Sequence, residues 1–304
     1  MPPPRPYGPA GSRPPQRKSG GGGKFAAVLV ALVVVVVAGM IRAAVGNGLH
    51  DGEGSGFKYG PDETASGVQE TATNPLVTAP GSPLSPAQCP YTPWGTEVDT
   101  ARAFFAGAAD CLAAAWKPAF EAAGLDFVAP ELSVSASTEG ITTPCSGSSS
   151  NFAAFYCGAN QTIYMPISQL QTDIFGTHWE VYLSVFAHEY GHHIQALSGI
   201  LSAANKERGR TGRYSDTGLE LSRRIELQAN CFDGMYFASS TGGRSLTPIQ
   251  AQNARTDAYG RGDTAGDMRS HGTTENAGNW WSAGFDQNLT VQCNTFTAPS
   301  GQVN

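Results

Sequence analysis

The residues best suited to chemistry are His188, Glu189 and His192, which form the pattern His-Glu-x-x-His. On a helix the two histidines lie one turn apart on the same face, so both imidazoles can reach one Zn²⁺ at about 2.0–2.1 Å. Glu189 points roughly 100° around the helix, where it is suited to take a proton from a metal-bound water. The spacing therefore predicts zinc-assisted hydrolysis, most often of a peptide bond.

A catalytic zinc site usually has three protein ligands and one open position, so a third ligand is expected downstream. No third His follows closely, because Ser, Gly and Ile occupy positions 198–200. Glu226 is the better candidate, since it lies on the next strongly predicted helix. Asn230 follows one turn later, where its side chain can accept the outer N–H of a ligand histidine. We therefore predict one zinc per chain.

Apolar periodicity and capping patterns predict the helices that position these residues. Thr177-His-Trp-Glu180 has the pattern of a capping box and is expected to open the motif helix. Residues 199–217 are polar and basic and are expected to form a solvated loop. The helix carrying Glu226 is expected from about 217 to 238. Other helices are predicted at 98–124, kinked or divided at Pro118, and at about 248–259 and 273–285.

Two stretches predict strands, residues 131–137 and a hairpin over 152–167 that turns at 158–161. Gly191 lowers helix stability by about 1 kcal/mol, and close approach of a strand or a substrate backbone would account for it. The segment 161–167 is expected to be an edge strand along which an extended peptide docks. Pro166 is compatible with an edge.

The N-terminal part differs in composition from the rest of the chain. Residues 1–24 carry Pro, Gly and five cations without an acid, and 17 uncharged residues follow from 25 to 41. This pattern predicts a disordered cytoplasmic tail (1–24) and a single transmembrane anchor (25–42), with the bulk of the chain outside the cell membrane. A cleaved secretory signal is the alternative. A flexible linker (43–85), a folded domain (86–297) and a C-terminal tail (298–304) are expected to follow.

The exported part is acidic and contains every cysteine. It holds 13 cations against 25 acids, a formal charge of −12, which is a poor match to nucleic acid. Six cysteines outside the cytoplasm predict disulfides, and fifteen full pairings are open. Pairing of sequence neighbours, namely Cys89–Cys111, Cys145–Cys157 and Cys231–Cys293, is our working expectation.

Four motifs resemble a known bacterial family, the one described as "putative neutral zinc metallopeptidase". They are the segments 185–195 (Val-Phe-Ala-His-Glu-Tyr-Gly-His-His-Ile-Gln), 226–232 (Glu-Leu-Gln-Ala-Asn-Cys-Phe), 271–273 (His-Gly-Thr) and 292–296 (Gln-Cys-Asn-Thr-Phe). The resemblance covers roughly residues 89–297. It implies an α+β, zincin-like domain, mainly helical with a small sheet beside the motif helix, and a peptide or protein substrate. It also implies His188, His192 and Glu226 as zinc ligands and Glu189 as general base.

The chain departs from the family at two places. The family usually has Asp where this chain has Asn230, and a neutral amide raises imidazole basicity less. We therefore expect weaker metal affinity or activity. After His271 the continuation Glu275-Asn-Ala-Gly278 is also unusual. By analogy with related enzymes, His271 is expected to donate a hydrogen bond to the oxyanion; a structural or capping role is the alternative.

Three functions remain open from the sequence. The first is a membrane-anchored zinc peptidase acting outside the cytoplasmic membrane. The second is an inactive zinc-binding relative that binds peptides or envelope proteins, which Asn230 makes conceivable. The third is a disulfide-stabilised envelope protein whose histidines are structural, and its metal content would separate it from the others.

Overall fold

The structure, a computed structural model, describes residues 70–147 and 152–304. This part is mainly helical, with one small sheet. Its helices are α1 (Val98–Ala122), α2 (Thr172–Phe175), α3 (Trp179–Leu197), α4 (Ile200–Thr211), α5 (Asp216–Gly242), α6 (Pro248–Ala258) and α7 (Thr274–Gln287). Its strands are β1 (Glu131–Ser135), β2 (Phe155–Cys157) and β3 (Thr162–Pro166). This agrees with the α+β class expected from the sequence.

Within the described residues, no helix combines the length and apolar character needed to cross a bilayer. The expected cytoplasmic tail (1–24) and transmembrane anchor (25–42) lie outside the described residues, as does the linker up to residue 69. The membrane anchor therefore stays a prediction from the sequence.

The packed region extends beyond the expected domain at both ends. Leu76, Val77 and Leu84 are buried in the main core although they fall in the segment expected as linker. At the other end, Val303 is fully buried, and its carbonyl accepts a hydrogen bond from Arg223 Nε at 2.7 Å. Isolated apolar residues among Pro, Ser and Thr give no periodic signal, so the boundaries at 86 and 297 exclude residues that pack on the domain.

The sheet has the strand order β1-β3-β2, with β1 parallel and β2 antiparallel to β3. The expected hairpin is confirmed, with Tyr156 opposite Ile163. The expectation that 161–167 forms an edge strand is wrong, because β3 (Thr162–Pro166) is central and fully buried. The strand at the edge beside α3 is β2. A sequence shows that strands alternate with turns, but it does not show which strand pairs on both sides.

The motif helix α3 is buried over most of its length and begins without the expected capping box. Its N-cap is His178, and the side chain of Glu180 does not turn back to Thr177. Instead, Glu180 Oε1 lies 3.0 Å from His178 Nδ1 and accepts a hydrogen bond from Asn253 Nδ2 at 2.7 Å. The carboxylate expected to cap the helix is therefore bound to Asn253 of α6 instead.

Helix α4 occupies the stretch expected as a loop. Ile200, Leu201 and Ala204 are buried against the core, at a helical spacing of one and four residues. The basic residues that suggested a loop lie in the second half of α4, on its more exposed part. Helix α1 is also not divided at Pro118, since it continues through this residue as one uninterrupted helix; the alternative, a kink at Pro118, stays a prediction.

Close packing of α3 on α5 depends on Gly191. An added Cβ at this position would lie 3.1 Å from the carbonyl oxygen of Ala229 and 3.3 Å from its Cβ. The neighbour is thus helix α5, and not the strand or substrate backbone expected from the sequence. The glycine brings the two ligand-bearing helices together.

Helices α5 and α7 also pack closely through glycines. A Cβ at Gly234 would collide with the carbonyl oxygen of Trp281, and one at Gly284 with that of Cys231.

The expected neighbour pairing of cysteines is confirmed, with bonds Cys89–Cys111, Cys145–Cys157 and Cys231–Cys293. The last bond anchors the C-terminal segment to α5.

Candidate metal centre

The structure brings together His188 and His192 from α3 with Glu226 from α5. Their ligand atoms all lie within 4.8 Å of one another. The same carboxylate oxygen of Glu226, Oε2, lies 3.4 Å from His188 Nε2 and 3.3 Å from His192 Nε2. His192 and Glu226 are 34 positions apart in the chain. They meet because Gly191 lets the two helices pack closely.

The two distances from Glu226 to the histidines fit the edges of a tetrahedral zinc site. Two ligand atoms that each lie about 2.0–2.1 Å from a tetrahedral ion are about 3.3–3.4 Å apart. The measured Nε2–Oε2 distances of 3.3 and 3.4 Å match that edge length. The donors, two imidazole nitrogens and one carboxylate oxygen, are also the set that a catalytic zinc site with one open position uses. The residues present therefore fit the ion that the motif implies.

The outer nitrogen of each histidine is held by an amide oxygen. His188 Nδ1 lies 2.8 Å from Asn230 Oδ1, as the position of Asn230 one turn after Glu226 predicted. His192 Nδ1 lies 2.9 Å from Gln195 Oε1. Because an amide oxygen only accepts, both Nδ1 atoms carry a proton, which leaves the Nε2 atoms on the side of Glu226 as the nitrogens available to a metal.

Gln195 was not predicted as a site residue. Its Nε2 donates to the carbonyl of Ile225 at 2.8 Å and to Gln228 Oε1 at 3.0 Å, so it also links α3 to α5 next to Glu226. Its position three residues after His192 was the available signal, since residues three apart share a helix face. An amide side chain is common on helix faces, so the spacing alone does not single it out.

The three candidate ligands are electrostatically coupled. Burial lowers the pKa of His188 to about 4. Burial also lowers the pKa of His192, but the charge and hydrogen bond of Glu226 outweigh it and raise that pKa to about 9. Burial raises the pKa of Glu226, yet the charge of His192 and the hydrogen bonds of both histidines lower it well below its usual value. The buried carboxylate of Glu226 is therefore ionised, and the positive charge of His192 stabilises it.

Glu189 lies beside this group but faces β2. Its side chain is buried, and Oε2 accepts a hydrogen bond from the backbone N–H of Tyr156 at 3.0 Å. Burial, with a smaller contribution from the charge of Glu226, raises its pKa to about 7, against the opposing charge of His192. A carboxyl group with a pKa near neutrality can both accept and return a proton, as general acid–base catalysis requires.

His271 lies in the loop before α7, on the side of the site formed by α5. Asp263 Oδ2 accepts hydrogen bonds from the backbone N–H groups of His271 and Gly272, at 2.7 and 2.8 Å. Asp263 Oδ1 lies 3.3 Å from His271 Nδ1. Burial lowers the pKa of His271, but Asp263 and the charge of Glu226 outweigh it and raise that pKa. Asp263 was not predicted, because eight residues of loop carry no periodic signal.

The other histidines have different surroundings. His193 lies 3.2 Å from the Tyr156 hydroxyl through Nδ1 and 2.7 Å from the carbonyl of Val128 through Nε2, so it supports the sheet. His178 is exposed at the start of α3. His50 lies outside the described residues.

Comparison with known proteins gives the same family as the motifs. The model of a family described as "Putative neutral zinc metallopeptidase" matches residues 96–296. The uncharacterized protein YpfJ of Escherichia coli is 33% identical over 202 residues, which are 60% of this chain and 66% of that protein. The uncharacterized protein Rv2575 of Mycobacterium tuberculosis is 30% identical over 183 residues, 52% of this chain and 60% of that protein. The chain thus spans just under two thirds of the length of these relatives, and no solved structure matches.

Proposed function

The chain belongs to the neutral zinc metallopeptidase family, and on that premise we propose that it hydrolyses peptide bonds as a zinc-dependent enzyme held outside the cytoplasmic membrane. The observation that carries the proposal is the His188–His192–Glu226 group with Glu189 beside it. The distances from Glu226 to the two histidines match the edges of a zinc coordination sphere, and Glu189 is the group suited to move a proton near neutral pH.

Each residue has a separate task in the proposed reaction. A zinc ion bound by the two histidines and Glu226 supplies Lewis acidity toward the scissile carbonyl and lowers the pKa of a water molecule. Glu189, oriented by the Tyr156 N–H, accepts a proton from the attacking water and passes it to the leaving amine. His271, held by Asp263, donates a hydrogen bond to the developing oxyanion.

Support for the location comes mainly from the sequence. Five cations precede the uncharged stretch at 25–41, and the first acid follows it at Asp51. This asymmetry favours a cytoplasmic N-terminus and an exported catalytic domain. Three disulfide bonds in the described residues are compatible with an oxidising compartment.

The test of the proposed function is Glu189→Gln. We expect the purified variant to keep about one zinc per chain and to lose peptide cleavage by about 10²–10⁴-fold, because the amide cannot accept the proton. Metal analysis and digestion of a peptide library measure both properties. Glu121→Gln, on the exposed surface of α1, is the matched control and should behave like the unchanged protein. Equal cleavage by the Glu189→Gln protein would exclude Glu189 as the base.

A second candidate function follows from Asn230. The amide oxygen that holds His188 is neutral, whereas the family usually has a carboxylate there. Weaker support of the ligand histidine favours a zinc-containing protein that binds peptides or envelope proteins without cleaving them. In that case the library digest would show no cleavage by the unchanged protein, although zinc is bound.

A further inference from the structure

A cavity of about 670 Å³ lies along the first turns of α5. Residues of α5, among them Glu220 and Arg223, form one wall, and Arg269 from the loop before α7 forms another. Its volume is within the range of sites that hold small molecules or short peptide segments, about 300–1,000 Å³. Neither the predicted metal ligands nor Glu189 line it.

The loop that carries Arg269 leads from the cavity to His271, on the side of the candidate metal centre where Glu226 lies. Arg223 Nη1 donates a hydrogen bond to the carbonyl oxygen of Arg269 at 2.8 Å, and an added Cβ at Gly272 would lie 3.0 Å from the side chain of Leu227. The loop therefore runs along α5 from Arg223 to Leu227, and His271 in this loop lies near Glu226. Arg223 precedes Glu226 by one turn, roughly 4.5 Å along the helix axis.

Two acids, Asp216 and Glu220, and two arginines, Arg223 and Arg269, line the cavity, so its formal charge is balanced. The charge of Arg269 helps to lower the pKa of Arg223, after the larger effect of burial, so the two guanidinium groups lie near each other. Glu220 is already paired, since its Oε1 accepts a hydrogen bond from Arg224 Nη2 at 2.7 Å. The exposed guanidinium of Arg269 forms no ion pair with the residues that the structure describes.

The backbone of Arg269 is held in an uncommon conformation. Its φ of 60° lies in the left-handed region, which is unfavourable by about 1–2 kcal/mol for a residue with a Cβ. The hydrogen bond from Arg223 to its carbonyl stabilises this conformation. Such strain clusters at binding and active sites, where the surroundings maintain it. The side chain therefore leaves from a fixed point beside the cavity.

We propose that Arg269, supported by Arg223, binds a carboxylate of the peptide substrate. This inference rests on the proposed peptidase function. The planar guanidinium matches a carboxylate in two parallel hydrogen bonds. The α5 residues of the wall lie roughly 5–15 Å from Glu226 along the helix axis, and an extended peptide advances about 3.3 Å per residue. The bound carboxylate of the peptide is therefore expected one to four residues from the scissile bond, either on an acidic side chain or at the C-terminus.

The test compares matched peptides and matched variants. One set, with amidated ends, has Glu or Gln at each of the four positions on either side of a cleaved bond. A second set is neutral and ends in a free carboxylate or an amide. We expect kcat/KM to be about tenfold higher for the peptide with the carboxylate in one of the two sets. A preference at one position of the first set identifies an acidic side chain, and a preference in the second set identifies the C-terminus. Arg269→Gln should abolish this preference.

Arg244→Gln is the control, because Arg244 is also exposed and also has a positive φ, 65°. This variant should keep the preference. A preference that survives Arg269→Gln, or equal rates for Glu and Gln peptides together with equal rates for acid and amide ends, would overturn the proposal while leaving the peptidase function intact.

Binding to the Glu189→Gln protein separates this proposal from failure of the proposed function. Fluorescence anisotropy of the labelled peptides measures affinity without cleavage. If no peptide is cleaved but acidic peptides bind about tenfold more tightly than neutral ones, and only while Arg269 is present, the carboxylate site stands. Equal affinity of acidic and neutral peptides overturns it.

Discussion

Replacing Asn230 by aspartate is expected to tighten zinc binding, because a neutral acceptor of a candidate ligand becomes a charged one. Asn230 Oδ1 lies 2.8 Å from His188 Nδ1, and aspartate keeps the size and the geometry of this side chain. A neutral hydrogen bond contributes about 1 kcal/mol and a charge-assisted one about twice that. The gain of about 1 kcal/mol corresponds to a zinc Kd that is roughly fivefold lower.

The assay is competition between the metal-free protein and a chelator of known zinc affinity at one fixed pH. Asn279→Asp adds the same charge on the exposed face of α7 and should leave the Kd unchanged. Circular dichroism verifies that both variants are folded. An Asn230→Asp protein that is folded but binds zinc no more tightly would show that this contact does not support a metal ligand.

Three further predictions concern residues around the site. Gln195→Leu removes the acceptor of the His192 Nδ1–H and should raise the zinc Kd about 10–100-fold in calorimetric titrations; an unchanged Kd would exclude this role. Burial raises the pKa of Asp233 to about 7, so the folded protein retains a proton that the unfolded chain releases near pH 4. The unfolding free energy should therefore fall as pH rises from about 4 to 7, and Asp233→Asn should remove up to about 1.4 kcal/mol per pH unit of that slope in denaturant titrations; parallel pH curves would contradict this. Gly234→Ala drives a Cβ into the Trp281 carbonyl and should lower the unfolding free energy by about 3 kcal/mol. The control Gly107→Ala, with no atom within 4 Å, should raise it by about 0.5–1 kcal/mol, so equal melting temperatures would refute the packing argument.

Local patterns in the sequence predicted the elements that carry the site. The spacing of His188 and His192 follows from the geometry of one helix, and the downstream helix with Glu226 has a periodic apolar face. The structure has that helix as α5 (Asp216–Gly242) and places Glu226 beside both histidines. The roles of these residues as ligands stay predictions.

Features that depend on contacts between distant segments were not predictable. The assignment of the edge strand depends on the parallel pairing of β1 with β3, which the sequence of either strand does not specify. The role of Gly191 depends on Ala229, and the position of His271 depends on Asp263. Helix α4 was missed for another reason, since only its first turn is apolar and the rest is polar and basic.

The central claim is that one zinc ion is bound jointly by His188, His192 and Glu226. X-ray absorption at the zinc edge of the purified protein tests it most directly. We predict two imidazole nitrogens and one carboxylate oxygen at about 2.0–2.1 Å, and loss of the bound zinc from Glu226→Ala. An unchanged zinc spectrum and full zinc content in Glu226→Ala would contradict the claim.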